Sequence, residues 1–371
     1  MLGEVGTFTK GAPLSKADIS EEGTPFILYG ELYTTYNEVT NAIVRKTDKA
    51  ADLSQYSRIG DVIIPTSGET PEEIATATCV MLPNVILAGD LNIFRGTKVD
   101  GRIISYIVNH VINRDISRIA QGKSVVHVKA DELSKIRINY PNSEEQKKLI
   151  RFLEILSGRI EKQRQLVELL KSYKRGFLNS YISQNEQDWS KVRLSDILTE
   201  RKEYCEKDGT YPHATLSKDG VYGKTDRYDR DYLVTSDDKK YKVTHKGDLC
   251  YNPANLKFGV ICINTYGDAI FSPIYVTFEI SEQHNTEFVG AYLMRSDFIN
   301  QALRFQEGTV YERMAVSPDD LLAMQIHLPP KEKQDKLADV LSKMQMKIQA
   351  EEDVLNKTAL LKKVLLSLLF I

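Results

Sequence analysis

The chain carries one helix start twice, and that duplication restricts its fold more than any other feature. YPNSEEQKKLIRFL, residues 140–153, returns as LPPKEKQDKLADVL, residues 328–341. At a shift of 188 the two share Pro141/Pro329, Glu144/Glu332, Gln146/Gln334, Lys148/Lys336, Leu149/Leu337 and Leu153/Leu341. Weaker matches follow at shifts of 186 to 188: Gly60-Asp61-Val62 with Gly247-Asp248-Leu249, Tyr106 with Tyr292, Gln121-Gly122 with Glu307-Gly308, and Asp131-Glu132-Leu133 with Asp319-Asp320-Leu321. Leu2-Gly3-Glu4-Val5 pairs with Leu194-Ser195-Asp196-Ile197 at 192. Shifts that drift by a few residues mean one fold with small loop insertions. The chain is therefore two halves, each a globular module followed by a helix: modules at 1–140 and 184–328, helices at 141–183 and 329–371. The first half lacks a counterpart of Trp189 to Arg193, so a short edge piece of the first module is expected to be missing or supplied by packing elsewhere.

Each helix has one apolar seam. Positions 149, 153, 156, 160, 163, 167, 170, 174, 177 and 181 alternate steps of four and three, and carry Leu149, Leu153, Leu156, Ile160, Gln163, Val167, Leu170, Lys174, Phe177 and Tyr181. Adding 188 gives Leu337, Leu341, Met344, Ile348, Glu351, Leu355, Thr358, Lys362, Leu365 and Leu369, with the polar interruptions in the same places. A 3.5-residue apolar period is a coiled-coil seam. Helices of about 40 residues span roughly 60 Å, and a stripe of that length needs a partner. Its own copy, related by a pseudo-two-fold axis, gives an antiparallel coiled coil. The alternative is two amphipathic helices packed on separate cores. Ser143 with Gln146 three residues on predicts an S-x-x-Q capping box at the first helix start.

The modules read as α+β. GDVIIP, VILAG, GDLCYN, GVICIN and PIYVTFEI are short strands bounded by turn residues. SYIVNHVINRDISRIA and EFVGAYLMRSDFINQALRF are shorter helices. The fold expected overall is two pseudo-two-fold-related α/β modules separated by two long helices.

With a formal net charge of only −2, the chain is not a strongly basic nucleic-acid binder, and any anion-binding face is local or shared with a partner. Cys79, Cys205, Cys250 and Cys262 form no C-x-x-C pair and no zinc spacing, as expected of reduced residues in a cytoplasmic protein. MLGEVGTFTKG has no apolar core of a signal peptide. VLLSLLFI is too short to span a bilayer, so no membrane is expected as a partner.

No motif organises a reaction. Gly122-Lys123-Ser124 resembles the end of a P-loop, but position 117 is Ser where the motif needs Gly. Asn252-Pro253-Ala254-Asn255 resembles an amino-methyltransferase loop, but lacks the second proline and the stacking aromatic. The six histidines are scattered without metal-ligand spacing, and Asp237-Asp238 and Asp319-Asp320 read as caps or solvated turns.

The two halves resemble the specificity subunit of type I restriction–modification systems. GTPFILYGELYTTY (23–36) is similar to the opening of that family's target recognition domains, as are YNPANLKFGVICIN (251–264) and GDAIFSPIYVTFEI (267–280) in the second half. The repeated P-x-x-E-x-Q-x-K-L start is similar to its central and C-terminal helical regions. The resemblance covers the whole chain and implies two target recognition domains, each reading half of a bipartite double-stranded DNA site. It further implies a coiled coil that spaces them and docks two methyltransferase subunits. No catalysis and no cofactor are expected in this chain: S-adenosylmethionine, ATP and magnesium go with the methyltransferase and the restriction motor–nuclease subunits. A scaffold that binds no DNA, or the specificity subunit of a related two-subunit restriction enzyme, are the competing readings.

Phosphate contacts set register and base-edge contacts set sequence, so candidates are polar and basic loop residues. In the first module these are Thr66, Ser67, Arg95, Gln121, Lys123 and Ser124. In the second they are Lys218, Tyr222, Lys224, Arg227, Asn252, Asn255 and Lys257, with Thr309, Tyr311 and Arg313. The last three are motivated by the match of the 121–124 turn to the 307–310 turn.

Overall fold

The computed structural model describes residues 1–122, 125–206, 209–224, 240–306 and 314–369. The chain divides into two compact units, Met1–Gln165 with Glu352–Ile371, and Leu166–Glu351. Each unit holds one globular module, part of the helix Ser143–Asn185 and part of the helix Lys331–Leu369.

In the first unit, a five-stranded sheet has the order Gly6–Lys10, Leu91–Gly96, Asp61–Pro65, Thr78–Val80, Val39–Thr40. The first three pairings are antiparallel and the last is parallel. The second unit repeats four of these strands in the same order, all antiparallel: Leu198–Glu200, Val276–Ile280, Leu249–Tyr251, Ile261–Ile263. Two helices follow in each, Gly101–His110 and Asn113–Ile119, then Thr286–Leu293 and Ser296–Ala302. The helix Gly101–His110 packs on the inner strands, and GDVIIP reads as a continuous apolar run because every residue of Asp61–Pro65 is buried. Ile64, Phe94, Ile103 and Ile107 form the first core, and Leu249, Phe278, Phe288 and Leu293 the second.

The second layers differ. The first unit adds a sheet of Arg45–Thr47, Thr24–Leu28 and Ile86–Ala88, with one parallel pairing. The second adds Tyr204–Cys205, Tyr241–Thr244 and Ala269–Phe271, all antiparallel, and the hairpin Ala214–Ser217/Gly220–Gly223.

The repeated Gly-Asp is a turn with a buried anchor. Gly60 and Gly247 have φ of +93° and +96°, where a side chain would be strained. Asp61 accepts the Arg58 backbone N–H at 2.9 Å and Arg95 Nε–H at 3.1 Å. Asp248 accepts the His245 backbone N–H at 2.8 Å and Arg201 through Nε at 2.8 Å and Nη2 at 3.0 Å. Both aspartates are 3% exposed. A carboxylate that deep is tolerable only when paired, so both units supply an arginine, from different strands or loops.

The unequal start of the halves has a structural counterpart. Gln325–Leu328 pairs antiparallel with Ser190–Arg193, whereas residues 137–140 carry no strand. The bond just inside it is common to both: Leu194 N–H to Met324 O at 2.9 Å, and Leu2 N–H to Ile136 O at 2.8 Å.

Along the long helices, all ten predicted seam positions from Leu149 to Tyr181 are buried or half-buried, as are those from Leu337 to Leu365, and Leu369 alone is exposed. In the first unit Leu153, Leu366 and Tyr106 share one apolar cluster. In the second, Lys174 Nζ donates to Gln345 Oε1 at 2.8 Å. Advancing from 153 to 174 on one helix retreats from 366 to 345 on the other: the helices run antiparallel. Their first turns pack on the modules. Ile150 joins the first core, and Leu337, Ala338 and Leu341 join the second.

The capping box predicted for Ser143 and Gln146 lies one residue earlier. Asn142 Oδ1 accepts the N–H groups of Glu144 and Glu145, both at 3.1 Å, and Glu145 Oε2 accepts Asn142 N–H at 3.0 Å. Gln146 is thereby left to another task.

Candidate nucleic-acid interface

Gln146 is 7% exposed and Gln334 1%. Gln146 Nε2 donates to Pro141 O at 2.9 Å, and its Oε1 accepts Asp100 N–H at 3.0 Å. Gln334 Nε2 donates to Pro329 O at 2.8 Å and lies 3.1 Å from His284 Nδ1, while its Oε1 accepts Asn285 N–H at 2.9 Å. Asp100 and Asn285 are the N-caps of the two module helices, accepting Arg102 N–H at 2.9 Å and Phe288 N–H at 3.0 Å. The shared P-x-x-E-x-Q is thus the joint between each module and its long helix.

Charged anchors at the helices are not shared. In the first unit Lys362 Nζ meets Glu38 Oε2 at 2.9 Å and lies 5.9 Å from the centre of the Tyr106 ring, and His110 Nε2 meets Glu38 Oε1 at 2.9 Å. Burial pushes the Glu38 carboxyl up, but the His110 hydrogen bond and the Lys362 charge outweigh it and hold it down at about 2. In the second unit Arg295 donates to Asn179 Oδ1 at 3.2 Å, pairs with Asp297 and stacks 5.0 Å from the Tyr292 ring centre.

Of the first-unit candidates, Thr66, Ser67 and Gln121 come together. Gln121 and His127 exchange backbone bonds at 3.1 and 2.9 Å, and Val126–His127 pairs with Ser67–Gly68. Val128 N–H reaches Thr66 O at 3.0 Å, and Thr66 N–H reaches Asp90 O at 2.7 Å. Two candidates have side chains already engaged within the module. Ser67 is 5% exposed and its hydroxyl donates to Asp90 Oδ2 at 2.8 Å. Arg95 belongs to the buried aspartate anchor, with Nη2 also donating to Ser54 O at 2.8 Å and Tyr56 O at 2.9 Å. What this corner offers solvent is exposed Gln121 and the exposed Asp90 carboxylate. The latter is an acceptor outside the predicted set.

In the second unit Lys218 is exposed at the hairpin turn, and Tyr222 is 49% exposed with its hydroxyl on Asp219 O at 2.9 Å. Lys224 follows the hairpin, its backbone N–H on His213 O at 2.8 Å. The hairpin packs on Ile261–Ile263 and Ala269–Phe271. Lys257 and Phe258 are exposed in the turn before Ile261, with Nζ 5.0 Å from the ring centre. Asn252 is engaged too: it is 6% exposed, and its Oδ1 caps that turn through Ala254 N–H at 3.1 Å and Asn255 N–H at 3.2 Å. Asn255 is half-buried. Tyr266, Phe258 and Phe305 are exposed aromatics outside the predicted set, at 45%, 64% and 49%; for Tyr266 and Phe258 the glycine that follows each was the available signal. Lys123, Ser124, Arg227, Thr309, Tyr311 and Arg313 lie outside the described residues.

The long helices carry a second stripe. Phe152, Ile155, Leu166, Leu169 and Tyr173, each one residue before a seam position, are exposed. So are Val340, Val354, Leu361, Val364 and Leu368 on the other helix. Each long helix thus exposes apolar residues at the seam's own period. Among the described residues no group of three or more His, Cys, Asp or Glu could hold a metal ion, and no helix is long and apolar enough to cross a membrane.

A duplicated α+β module on two antiparallel helices, with a constant joint and dissimilar loops, is the architecture of a protein that presents two different surfaces from one frame. The model of the type I restriction modification DNA specificity domain matches residues 1–171 and again 186–358, so the chain belongs to that family. It is similar in fold to the type I restriction–modification system S subunit from M. genitalium, with 14% identity, a TM-score of 0.58, and coverage of 100% of this chain and 95% of that one. It is also similar to a chain from a structural study of complex assembly and conformational transition in the type I R-M system, with 15% identity, a TM-score of 0.57, and coverage of 98% and 95%. No curated protein matches significantly.

Proposed function

We propose that each unit reads one half of a bipartite, asymmetric double-stranded DNA site. The helices set the unread gap, and the chain works as the specificity subunit of a type I restriction–modification complex. The observation that carries this is the contrast inside the repeat. Sheet order, Gly-Asp turn and glutamine joint are duplicated, whereas the second layers and candidate loops are not. A frame kept constant under variable surfaces suits the reading of two unlike half-sites.

The second, exposed apolar stripe supports docking of two methyltransferase subunits on the helices. Restriction motor–nuclease subunits join through that complex. Catalysis, with S-adenosylmethionine, ATP and magnesium, belongs to those partners, and the assembly acts in the cytoplasm. The chain's formal net charge is only −2, so this chain alone binds DNA weakly and gains affinity when partners add positive charge. A fluorescence titration of labelled duplex with and without the methyltransferase tests this: tighter binding in the complex is expected, and equal affinity speaks against the reading. Methylation-aware sequencing of host DNA should show a two-part motif. A continuous motif, or none in cells expressing the full complex, would favour a scaffold role instead.

A further inference from the structure

We propose that Gln146 and Gln334 are positioning residues that fix how each recognition module leaves its long helix, and so set how strictly the complex measures the gap in its target. The inference rests on the bipartite reading above and goes beyond it by naming the joint. Each side-chain amide ties two main-chain groups together, and Gln334 also meets His284 Nδ1. The NH2 is tied to the carbonyl of the proline that precedes the long helix, Pro141 or Pro329. The carbonyl is tied to the N–H of the module-helix cap, Asp100 or Asn285. A bridge between two backbones restricts rotation more than a contact between flexible side chains does. Its burial keeps water from substituting for either bond. The cap residues also hold their helices by side-chain bonds, so the restraint passes from long helix to module helix without a flexible intermediate. The repeat keeps Gln at both joints, while the neighbouring contacts differ: Asn285 Nδ2 reaches Asp335 Oδ1 at 2.8 Å, whereas Asp100 is paired with Arg102 at 2.8 Å.

The test uses the full chain with its methyltransferase partner, and the variants Gln146→Met and Gln334→Met, which keep length and burial but lose both bonds. The first readout is exchange of the Asp100 and Asn285 amide protons, expected to quicken about tenfold or more in the matching variant. The second is affinity for duplexes whose gap is native, one base pair shorter or one longer. The unsubstituted complex is expected to disfavour the altered gaps by about tenfold, in the range of a mismatched base pair. In the variants that ratio should shrink to about threefold or less. An unchanged ratio, with affinity lowered equally at every gap, reduces the glutamines to ordinary stabilisers and overturns the proposal, as does unchanged amide exchange. If the unsubstituted complex itself ignores gap length, the bipartite reading falls first and takes this one with it. Gln146→Glu and Gln334→Glu keep the acceptor oxygen and serve if the methionine variants fail to fold; their gap ratio should lie between the two extremes, and a ratio equal to the unsubstituted one counts against the proposal.

Discussion

Set side by side, the two units agree where they hold themselves together and differ where they meet their surroundings. Both bury an aspartate behind a left-handed glycine, yet Arg95 answers it in one and Arg201 in the other. Both hang on a buried glutamine, yet one adds a glutamate–lysine–histidine cluster on the C-terminal helix and the other an arginine–asparagine contact on the central helix. The repeat constrains backbone geometry and leaves the chemistry of each solution free.

The largest test of this comparison is the first-unit helix contact. Leu153 is fully buried with Tyr106 and Leu366, and Leu153→Ala should cost about 3 kcal/mol, seen as a lower denaturant midpoint of the first unit. Next comes the aspartate pair. Asp61→Ala and Asp248→Ala each remove a buried carboxylate from a half-buried arginine that keeps other partners, and each should cost its own unit about 1.5–3 kcal/mol. Urea unfolding followed by hydrogen exchange in each unit checks this; a loss in one unit several times that in the other would break the equivalence.

Glu38 has no counterpart bond in the second unit among the described residues, so it should give the units different acid sensitivity. Its carboxyl sits at about 2 when folded against an ordinary 4.5. The stabilisation is therefore complete above about pH 4.5 and is lost as pH falls towards 2, with an upper bound of roughly 3 kcal/mol. Glu38→Gln should remove most of that at neutral pH and flatten the first unit's acid limb, measured by unfolding between pH 2 and 7.

The smallest effect lies in the second unit. His245 meets Asp268 at 3.1 Å and Glu203 at 3.2 Å. Burial pulls its pKa down, but these carboxylates outweigh burial and raise it. That contribution is full below 6.5 and fades as pH rises through the folded value. With the carboxylates half exposed, His245→Gln should cost under about 1 kcal/mol, visible as a small second-unit difference at pH 6 that vanishes at pH 9.

The seam, the paired sheets and the order of modules and helices were legible because period and duplication survive without coordinates. The task of Gln146 was not. S-x-x-Q fits a capping box, and only the register of Asn142 and Glu145 shows the cap already satisfied. The partners of Arg95 and Asn252 are hidden in the sequence for a related reason. A polar residue at a strand end or turn looks solvated until its partner, Asp61 in one case and its own turn in the other, is brought alongside. The duplicated aspartate was the available clue, since a carboxylate kept in both halves of a buried strand needs a cation.

Glu38 and Lys362 are 324 residues apart in the chain, and Leu366 completes a cluster with Tyr106 and Leu153. The earlier module is therefore finished by a strip made some 324 residues later. At about 5–20 residues per second, the nascent amino-terminal module waits tens of seconds with an open flank before the strip that closes it arrives, while the later module finds its helical supports almost at once. Deleting the strip that carries Lys362 and Leu366 should accordingly harm the distant first module rather than the second one beside it in the chain.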